Sequence, residues 1–471
     1  MPISFKFASV WMTGAILLAM SPLFFVEDCL AQEAVASPKE HWYPASRSGG
    51  FSINASGSVF DSSGANVVID SFTSAEQPSG GSLPLDGASM RRHTVNLSAV
   101  IDVSKGHGAA ALWIRADGQD GVLELINTGL MPVANGDGAS RREIEMDVPS
   151  KATKLLVGVS FKGQGNAHFG GVKVDVRALS GRSASTTPAE TLAAAIDIAR
   201  KNALHSPQVD WDTVIPEVKA LAADAQIAAD AYPAVRLLLS RLGDRHSLFS
   251  NPYQSALMSS SGQQASKAEV KDLPGQLAYV RMPGYVGMDK EKAVAFSREI
   301  AGEIDKRPGS RGWIVDLRQD TGGNMWPMLA AMEPLLGADK LGSFVSPAKT
   351  TPWFARAAFG RDQPAVADLS HVPVAVLIGP RTISSGEAVA IAFHGRPMTE
   401  FFGEPTGGRS TANGEFPLPD GSVLHLTVAT DADRNGVTFG DRIAPDHVVL
   451  DAGNDEVLKA ATDWLSGLTT H

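Results

Sequence analysis

The chain has 471 residues, 44% hydrophobic and 20% charged, which fits several folded domains and excludes an intrinsically disordered protein. Its 51 acidic and 41 basic residues give a formal net charge of −10, which excludes the basic face that a nucleic-acid binder needs. The one cysteine, Cys29, excludes a disulfide framework or a thiolate metal cluster within the chain.

The first segment places Lys6 before an apolar run from Ala8 to about Val26, followed by small residues ending at Ala31. That is the order of a secretory signal peptide, so residues 1–31 are expected to direct export to the periplasm or the extracellular side. If the signal is not cleaved, the same segment tethers the protein to the membrane. No other stretch reaches the roughly 20 apolar residues a bilayer-spanning helix requires.

From His41 to Leu179 the sequence is rich in Gly, Ser, Val and Asp and alternates in short runs: HTVNLSAVIDV, AALWIRAD, GVLELIN, REIEMDV, KLLVGVSF and VKVDVRAL. KGHG, DGQDG and ANGDG punctuate them as turns. Short strands with frequent turns predict an all-β sandwich or jelly roll. No catalytic constellation is visible in it, so it is expected to be structural, or to dock a protein or a carbohydrate. SGRSASTT (180–187) is a small-residue linker. After Pro188 the period becomes helical in AETLAAAIDIARKNAL, VDWDTVIPEVKALAADA and AYPAVRLLLSRLG, with Gly243 a plausible stop. DRHSLFSNP follows, and then a polar stretch, SSSGQQASKAEVKD (259–272), expected to be an exposed loop.

From Leu273 strands and helices alternate. QLAYVRMPGY is a strand, KEKAVAFSREIAGEIDK a helix, GWIVDLRQ a buried strand, TGGN a turn and MWPMLAAMEPLL a helix. PVAVLIGP is a further buried strand and SSGEAVAIAFHG the helix after it; VLHLTVATDADRNG, VVLDAG and EVLKAATDWLSG add strands and a closing helix. The alternation predicts a layered α/β core. The expected organisation is therefore multidomain: a signal peptide at 1–31, a β-sandwich accessory domain at 40–180, a helical subdomain at 181–255 and an α/β core at 270–470.

Four stretches could carry chemistry. RTISSGE (381–387) puts Ser384 and Ser385 where a buried strand hands over to a helix. A serine there exposes its hydroxyl at the end of a sheet, beside the free N–H groups of a helix start. The same four residues, Ser384 to Glu387, spell S-x-x-E, a helix capping box, and the stretch alone favours that plainer reading. DLRQDTGGN (316–324) ends a strand in Gly322 and Gly323, where backbone N–H groups can approach a substrate carbonyl or simply make a turn. LGDRHSLF (242–249) offers His246 as a base near neutral pKa, although most loop histidines are surface residues. FFGEPTGGRS and FGDRIAPD bring glycines, Arg409 and Asp441.

Taken together and in order, these stretches resemble peptidase family S41, the tail-specific and tricorn-type serine proteases. DLRQDTGG resembles the family's D-x-R-x-N-x-G-G segment, RTISSGEAVAIAF its nucleophile segment and GEPTGGRS its G-E-x-T-x-G segment. LPDGSVLHLT and GDRIAPD resemble its closing hairpin and G-[VI]-x-P-D motif, and LGDRHS the histidine segment of the tricorn-like branch. The resemblance implies a crotonase-like layered ββα core at 270–470. It also implies a serine peptidase acting on a peptide or protein substrate without metal or cofactor. Carried over by position, Ser384 is the nucleophile, with Ser385 its near rival. His246 is the base, and Asp441 or another acid orients it. The N–H groups of Ser385 and of Gly322 or Gly323 form the oxyanion hole, and Glu387 and Arg409 lie around the site in supporting or substrate-binding roles.

The sequence also departs from the family. Arg409 stands where the tail-specific branch has the lysine of a Ser–Lys dyad, and an arginine cannot be deprotonated to act as a base. The implied mechanism is therefore the histidine-base one. Gln319, Asp320 and Arg442 also break the pattern, and the roughly 30 residues between His246 and Leu277 are too few for a PDZ domain. Two other readings stand beside the peptidase. One is a catalytically inactive binder of peptides or envelope polymers on the same fold. The other is a serine hydrolase of non-peptide esters, disfavoured because G-x-S-x-G is absent around the serine.

Overall fold

A computed structural model describes residues 40–45, 50–72, 78–129, 132–260, 262–264, 268–356, 366–450 and 455–468. The segment 1–31, read as a signal peptide, lies outside the described residues. No helix among the described residues is long and apolar enough to cross a membrane.

The N-terminal part is a nine-stranded sheet running from Tyr43 to Ala178. Two of its strands are far longer than predicted. His93–Gly118 has 26 residues and Lys154–Ala178 has 25, and they pair antiparallel from His93↔Ala178 to Asp117↔Lys154. KGHG, expected to be a turn, is a bend inside this ribbon, with a register shift between Val103 and Lys105. The cause is the glycines that face each other there. Gly165 has φ +133°, and a Cβ on it would lie 1.9 Å from the Lys105 carbonyl oxygen, so the two backbones touch and the ribbon bends without ending. Beyond the bend the partners change. Thr94–Ile101 pairs with Ser140–Asp147, whereas Trp113–Gly118 pairs with Gly121–Asn127. Leu97 and Ile101 from one half meet Leu112 and Ile114 from the other in a single buried cluster with Phe161 and Phe169. The bent ribbon thus folds the sheet over its own core.

SGRSASTT is not wholly irregular, because Gly181–Ser185 forms one short helix. Thr187 then caps the helix Pro188–Asn202 through a reciprocal box with Glu190. Trp211–Leu221 and Tyr232–Ser240 follow as the spacing predicts. Their apolar faces, including Leu192, Val218, Val235 and Leu238, pack together and onto Leu424 and Leu426 of the strand Val423–Asp433. This cluster fixes where the loop Gly243–Ser247 emerges.

Among the described residues, the C-terminal part contains two larger sheets and one two-stranded sheet, Gly262–Gln264 with Tyr285–Gly287. One of the larger sheets has six strands in the order Glu269–Leu273, Leu277–Arg281, Gly312–Asp316, Val374–Ile378, Thr399–Gly403 and His447–Val448. The first pair is antiparallel and the rest are parallel. The strand Glu269–Leu273 and the short Gly262–Gln264 fall in the stretch expected to be an exposed loop. Its alternation explains the difference: Val270 packs against the core, while Glu269 and Lys271 charge a sheet edge, as edge strands often do. The second sheet joins Leu248–Ser250, Val423–Asp433, Gly342–Val345 and Thr350–Trp353, with Thr411–Pro417 also on Val423–Asp433. Between the two sheets lie the helices Met325–Ala331 and Ser385–Phe393, in one core with Val376 of the first sheet and Phe344, Ala412 and Ala429 of the second. All nine residues of Ser385–Phe393 are buried, which is why SGEAVAIAF is small and apolar almost throughout. MWPMLAAMEPLL breaks at Met332 into Met325–Ala331 and Glu333–Leu336, where Pro334 supplies no N–H to continue the first helix.

Candidate active site

The loops after the parallel strands Gly312–Asp316 and Val374–Ile378 leave the same edge of the sheet, the carboxyl ends where α/β sheets place their ligands. Ser384 lies in the second loop. Its backbone is at φ 56°, ψ −118°, a strained position for a residue with a side chain. Two bonds hold it there: the Ser384 N–H donates to Glu387 Oε2 at 2.9 Å, and Ile383 N–H donates to the Asp320 carbonyl at 3.0 Å. The glutamate half of the expected capping box therefore forms. Glu387 also accepts from the Thr406 hydroxyl and from the N–H groups of Gly408 (2.9 Å) and Arg409 (2.7 Å). Burial pushes its carboxyl up, and these four hydrogen bonds oppose that shift. Glu387 thus ties the serine loop to the GEPTGGRS loop.

His246 arrives from the helical part. Its Nε2 is 2.9 Å from Ser384 Oγ, and the residue is only 2% exposed. The loop that carries it is fixed at the backbone: Asp244 Oδ1 accepts the N–H groups of His246 and Ser247, and Asn413 Nδ2 donates to the His246 carbonyl at 2.7 Å. Burial pushes the imidazole down to about 3, with Arg409 and then His425 adding to the shift, so the ring is neutral at ordinary pH. A neutral imidazole with Nε2 facing a serine hydroxyl has the geometry of a general base.

The expected acid is not on the imidazole. Asp441 is an exposed carboxylate paired with Arg245 Nη2 at 3.0 Å. The group on His246 Nδ1 is the Thr411 hydroxyl, at 2.7 Å. Thr411 opens the strand that pairs with Val423–Asp433, the same strand that anchors Leu248–Ser250 just after His246. One strand therefore sets the spacing of the pair. Asp441 lies on the loop beyond that strand, and its backbone carbonyl, not its carboxylate, reaches inward to accept from Ser410 Oγ.

The glycine turn is also only partly as expected. Gly322 comes against Ser384: a Cβ there would lie 3.0 Å from Ser384 Cβ and 3.1 Å from Ser385 N. Its N–H, however, donates to Asp320 Oδ1 at 3.0 Å. Gly323, at φ 127°, lies against Tyr285, whose carbonyl oxygen would be 1.9 Å from an added Cβ. The Ser385 N–H is the first of its helix and has no carbonyl within the helix to receive it. The Ser385 hydroxyl donates to the Gly323 carbonyl, which joins the two loops and separates Ser385 from the nucleophile's position. Burial pushes Asp320 up to about 7.

Sequence reasoning did not single out Thr411, Asp244 or Asn413. Asp431 also escaped it, a buried carboxyl that lines a cavity with Ser384. A signal existed for the last: an acidic residue inside the apolar strand VLHLTVATDAD is costly to bury. Thr411 directly follows GEPTGGRS but carries no motif signal of its own, and only its place beside His246 in the fold reveals it.

Residues 276–449 match the family described as Peptidase family S41. It is 27% identical over 263 residues to the nisin-resistance protein of Lactococcus lactis subsp. lactis, covering 53% of this chain and 81% of that protein. It is also 39% identical over 82 residues to the chloroplastic carboxyl-terminal-processing peptidase 2 of Arabidopsis thaliana, spanning 16% of this chain and 15% of that one. A lipoprotein from Streptococcus agalactiae shares the fold, with a TM-score of 0.53 at 22% identity over 60% of this chain and 97% of the other.

Proposed function

We propose that the protein is an exported serine peptidase that works through a Ser384–His246 dyad. The observation that carries this reading is the 2.9 Å approach of a buried, neutral imidazole to the hydroxyl of a serine held in a strained strand-to-helix turn. Ser384 Oγ attacks the peptide carbonyl carbon, and its proton passes to His246 Nε2. The C–N bond then breaks, and His246 returns the proton to the leaving amine. Water, deprotonated by the same nitrogen, hydrolyses the ester and regenerates the serine. The Ser385 N–H, joined by a second donor from the glycine turn, receives the developing oxyanion. Thr411 keeps Nδ1 protonated and thereby turns the Nε2 lone pair toward Ser384.

Export rests on the sequence of residues 1–31, and the kinship with a nisin-resistance protein and with a lipoprotein fits an envelope setting. The units at 40–180, 181–255 and 270–470 are proposed as accessory sandwich, helical subdomain and peptidase core, the last with crotonase-like layering. The sandwich, jelly-roll-like in its bent long strands, is proposed as the part that docks a protein or a carbohydrate. The test is fluorophosphonate labelling of the mature protein followed by peptide mass mapping. An adduct on Ser384, lost in Ser384→Ala, is expected. A folded protein that takes no label overturns the peptidase reading in favour of an inactive binding protein.

A further inference from the structure

The nucleophile borders a small cavity of about 10 Å³, enough for one group the size of a water molecule or a hydroxyl. Its walls are apolar at Met325, Phe344, Ala388 and Ala412, and the hydroxyl residues Ser384, Ser385 and Thr411 complete them. Asp431 also lines it, is 1% exposed, and its Oδ1 has no hydrogen-bond partner. The residue cannot easily turn away. It lies within the long strand, opposite Phe344 in register, its N–H donates to the Ser410 carbonyl at 3.2 Å, and its carbonyl accepts from Phe439 N–H at 2.9 Å. A buried carboxyl with an unused oxygen is costly, and such groups persist where they have work to do.

When Ser384 Oγ bonds to a peptide carbonyl carbon, the oxygen turns to the Ser385 N–H and the nitrogen to His246. The remaining substituent is the residue on the acyl side of the bond, and its side chain is the one that meets the cavity beside the nucleophile. We infer that Asp431 reads that side chain, and that this enzyme selects serine there. The inference rests on the dyad proposed above. A serine side chain reaches one polar atom beyond Cβ, which is what the cavity holds. Alanine leaves Asp431 unpaired, and leucine, phenylalanine, lysine and arginine exceed the space. Burial, and then the neighbouring Glu387 carboxylate with its four donors, push the Asp431 carboxyl well above the usual carboxylate range. A neutral carboxyl both donates and accepts, so it matches a hydroxyl better than it matches a cation.

The experiment uses short acetyl-peptide aldehydes, which form a reversible adduct when Ser384 Oγ adds to the aldehyde carbon and the hydroxyl proton moves to the new alkoxide. Four are compared, with the terminal side chain of Ser, Ala, Leu or Lys, by competition against fluorophosphonate labelling. The serine analogue is expected to bind roughly tenfold more tightly than the alanine analogue, the ratio of one net hydrogen bond. In Asp431→Ala that ratio falls to about one while labelling of Ser384 persists. Asp431→Asn, which also donates and accepts, keeps the ratio. Equal binding of the Ser and Ala analogues, a preference for the Lys analogue, or no competition by any of the four on labelled enzyme overturns the role of Asp431 and leaves the dyad standing. Absence of labelling in the wild-type protein overturns the dyad itself, and the role of Asp431 with it.

Discussion

Replacing Thr411 by valine is the sharpest test of how the base is held. The two side chains have the same shape, so packing is kept while the partner of His246 Nδ1 is removed. His246 is 2% exposed, and water cannot replace the hydroxyl that now stands at 2.7 Å. A buried donor left without a partner costs about 1 to 3 kcal/mol. The backbone on either side is pinned by Asp244 and Asn413, so the ring escapes that cost only by rotating or by changing tautomer. Either escape turns the lone pair away from Ser384. At 1.36 kcal/mol per decade, kcat/KM and the rate of fluorophosphonate labelling should both fall about ten- to hundredfold, with an unchanged circular dichroism spectrum. Asp441→Asn serves as the internal comparison and should leave both rates within twofold, since the Asp441 carboxylate is exposed and pairs with Arg245 at the surface. A wild-type rate in Thr411→Val, or a large loss in Asp441→Asn, refutes the assignment of Thr411.

The pH profile should show no acid limb near 6.5, because His246 is held down to about 3 and stays deprotonated as pH falls. Activity should instead decline as pH rises through about 7, where Asp320 ionises beside the Gly322 N–H and places negative charge next to the forming oxyanion; Asp320→Asn should remove that decline. For stability the two groups act with signs opposite to each other. Protons bind the unfolded His246 below its usual value of about 6.5 but not the folded one, so this group weakens the fold as pH falls from there toward about 3. Asp320, raised in the fold, weakens it as pH rises from about 4 toward 7. Arg318→Met should destabilise the core by roughly 3 kcal/mol in a denaturant titration, because it leaves the buried Asp316 without the cation that holds it through Nε and Nη2 and whose Nη1 reaches Asp455.

How far the sequence carries depends on the range of the interaction. Helical periods predicted Pro188–Asn202, Tyr232–Ser240 and Lys290–Asp305, because each apolar face is written within a few turns. The apolar runs VAVLI and GWIVD likewise announced strands buried on both faces. The long ribbon was not legible, since whether KGHG ends a strand or bends one depends on Gly163 and Gly165 some 60 residues away. Ser384 and His246 could be named from their motifs, yet each alone had a plainer explanation. Their pairing required the helical cluster to seat one loop over the other. Asp441 misled because its position in the chain said nothing of where its carboxylate points, and Thr411 was silent because a threonine at the start of a strand is ordinary.

The two partners of the proposed dyad belong to different packing units. Ser384 opens a helix embedded between the two larger C-terminal sheets, whereas His246 hangs from a helical cluster built on Leu192, Val218 and Leu238. That cluster is also clasped from the N-terminal side, where Arg236 meets the buried Glu124 and Asp230 accepts from Ser150. The proposed dyad thus depends on two clusters joined through the strand Val423–Asp433, and partial opening of the helical one is expected to silence it. Loss of Ser384 labelling on heating should therefore precede loss of the six-stranded sheet. A ligand that grips the N-terminal sheet and the helices together would act as a thermal guard on catalysis without touching the catalytic serine.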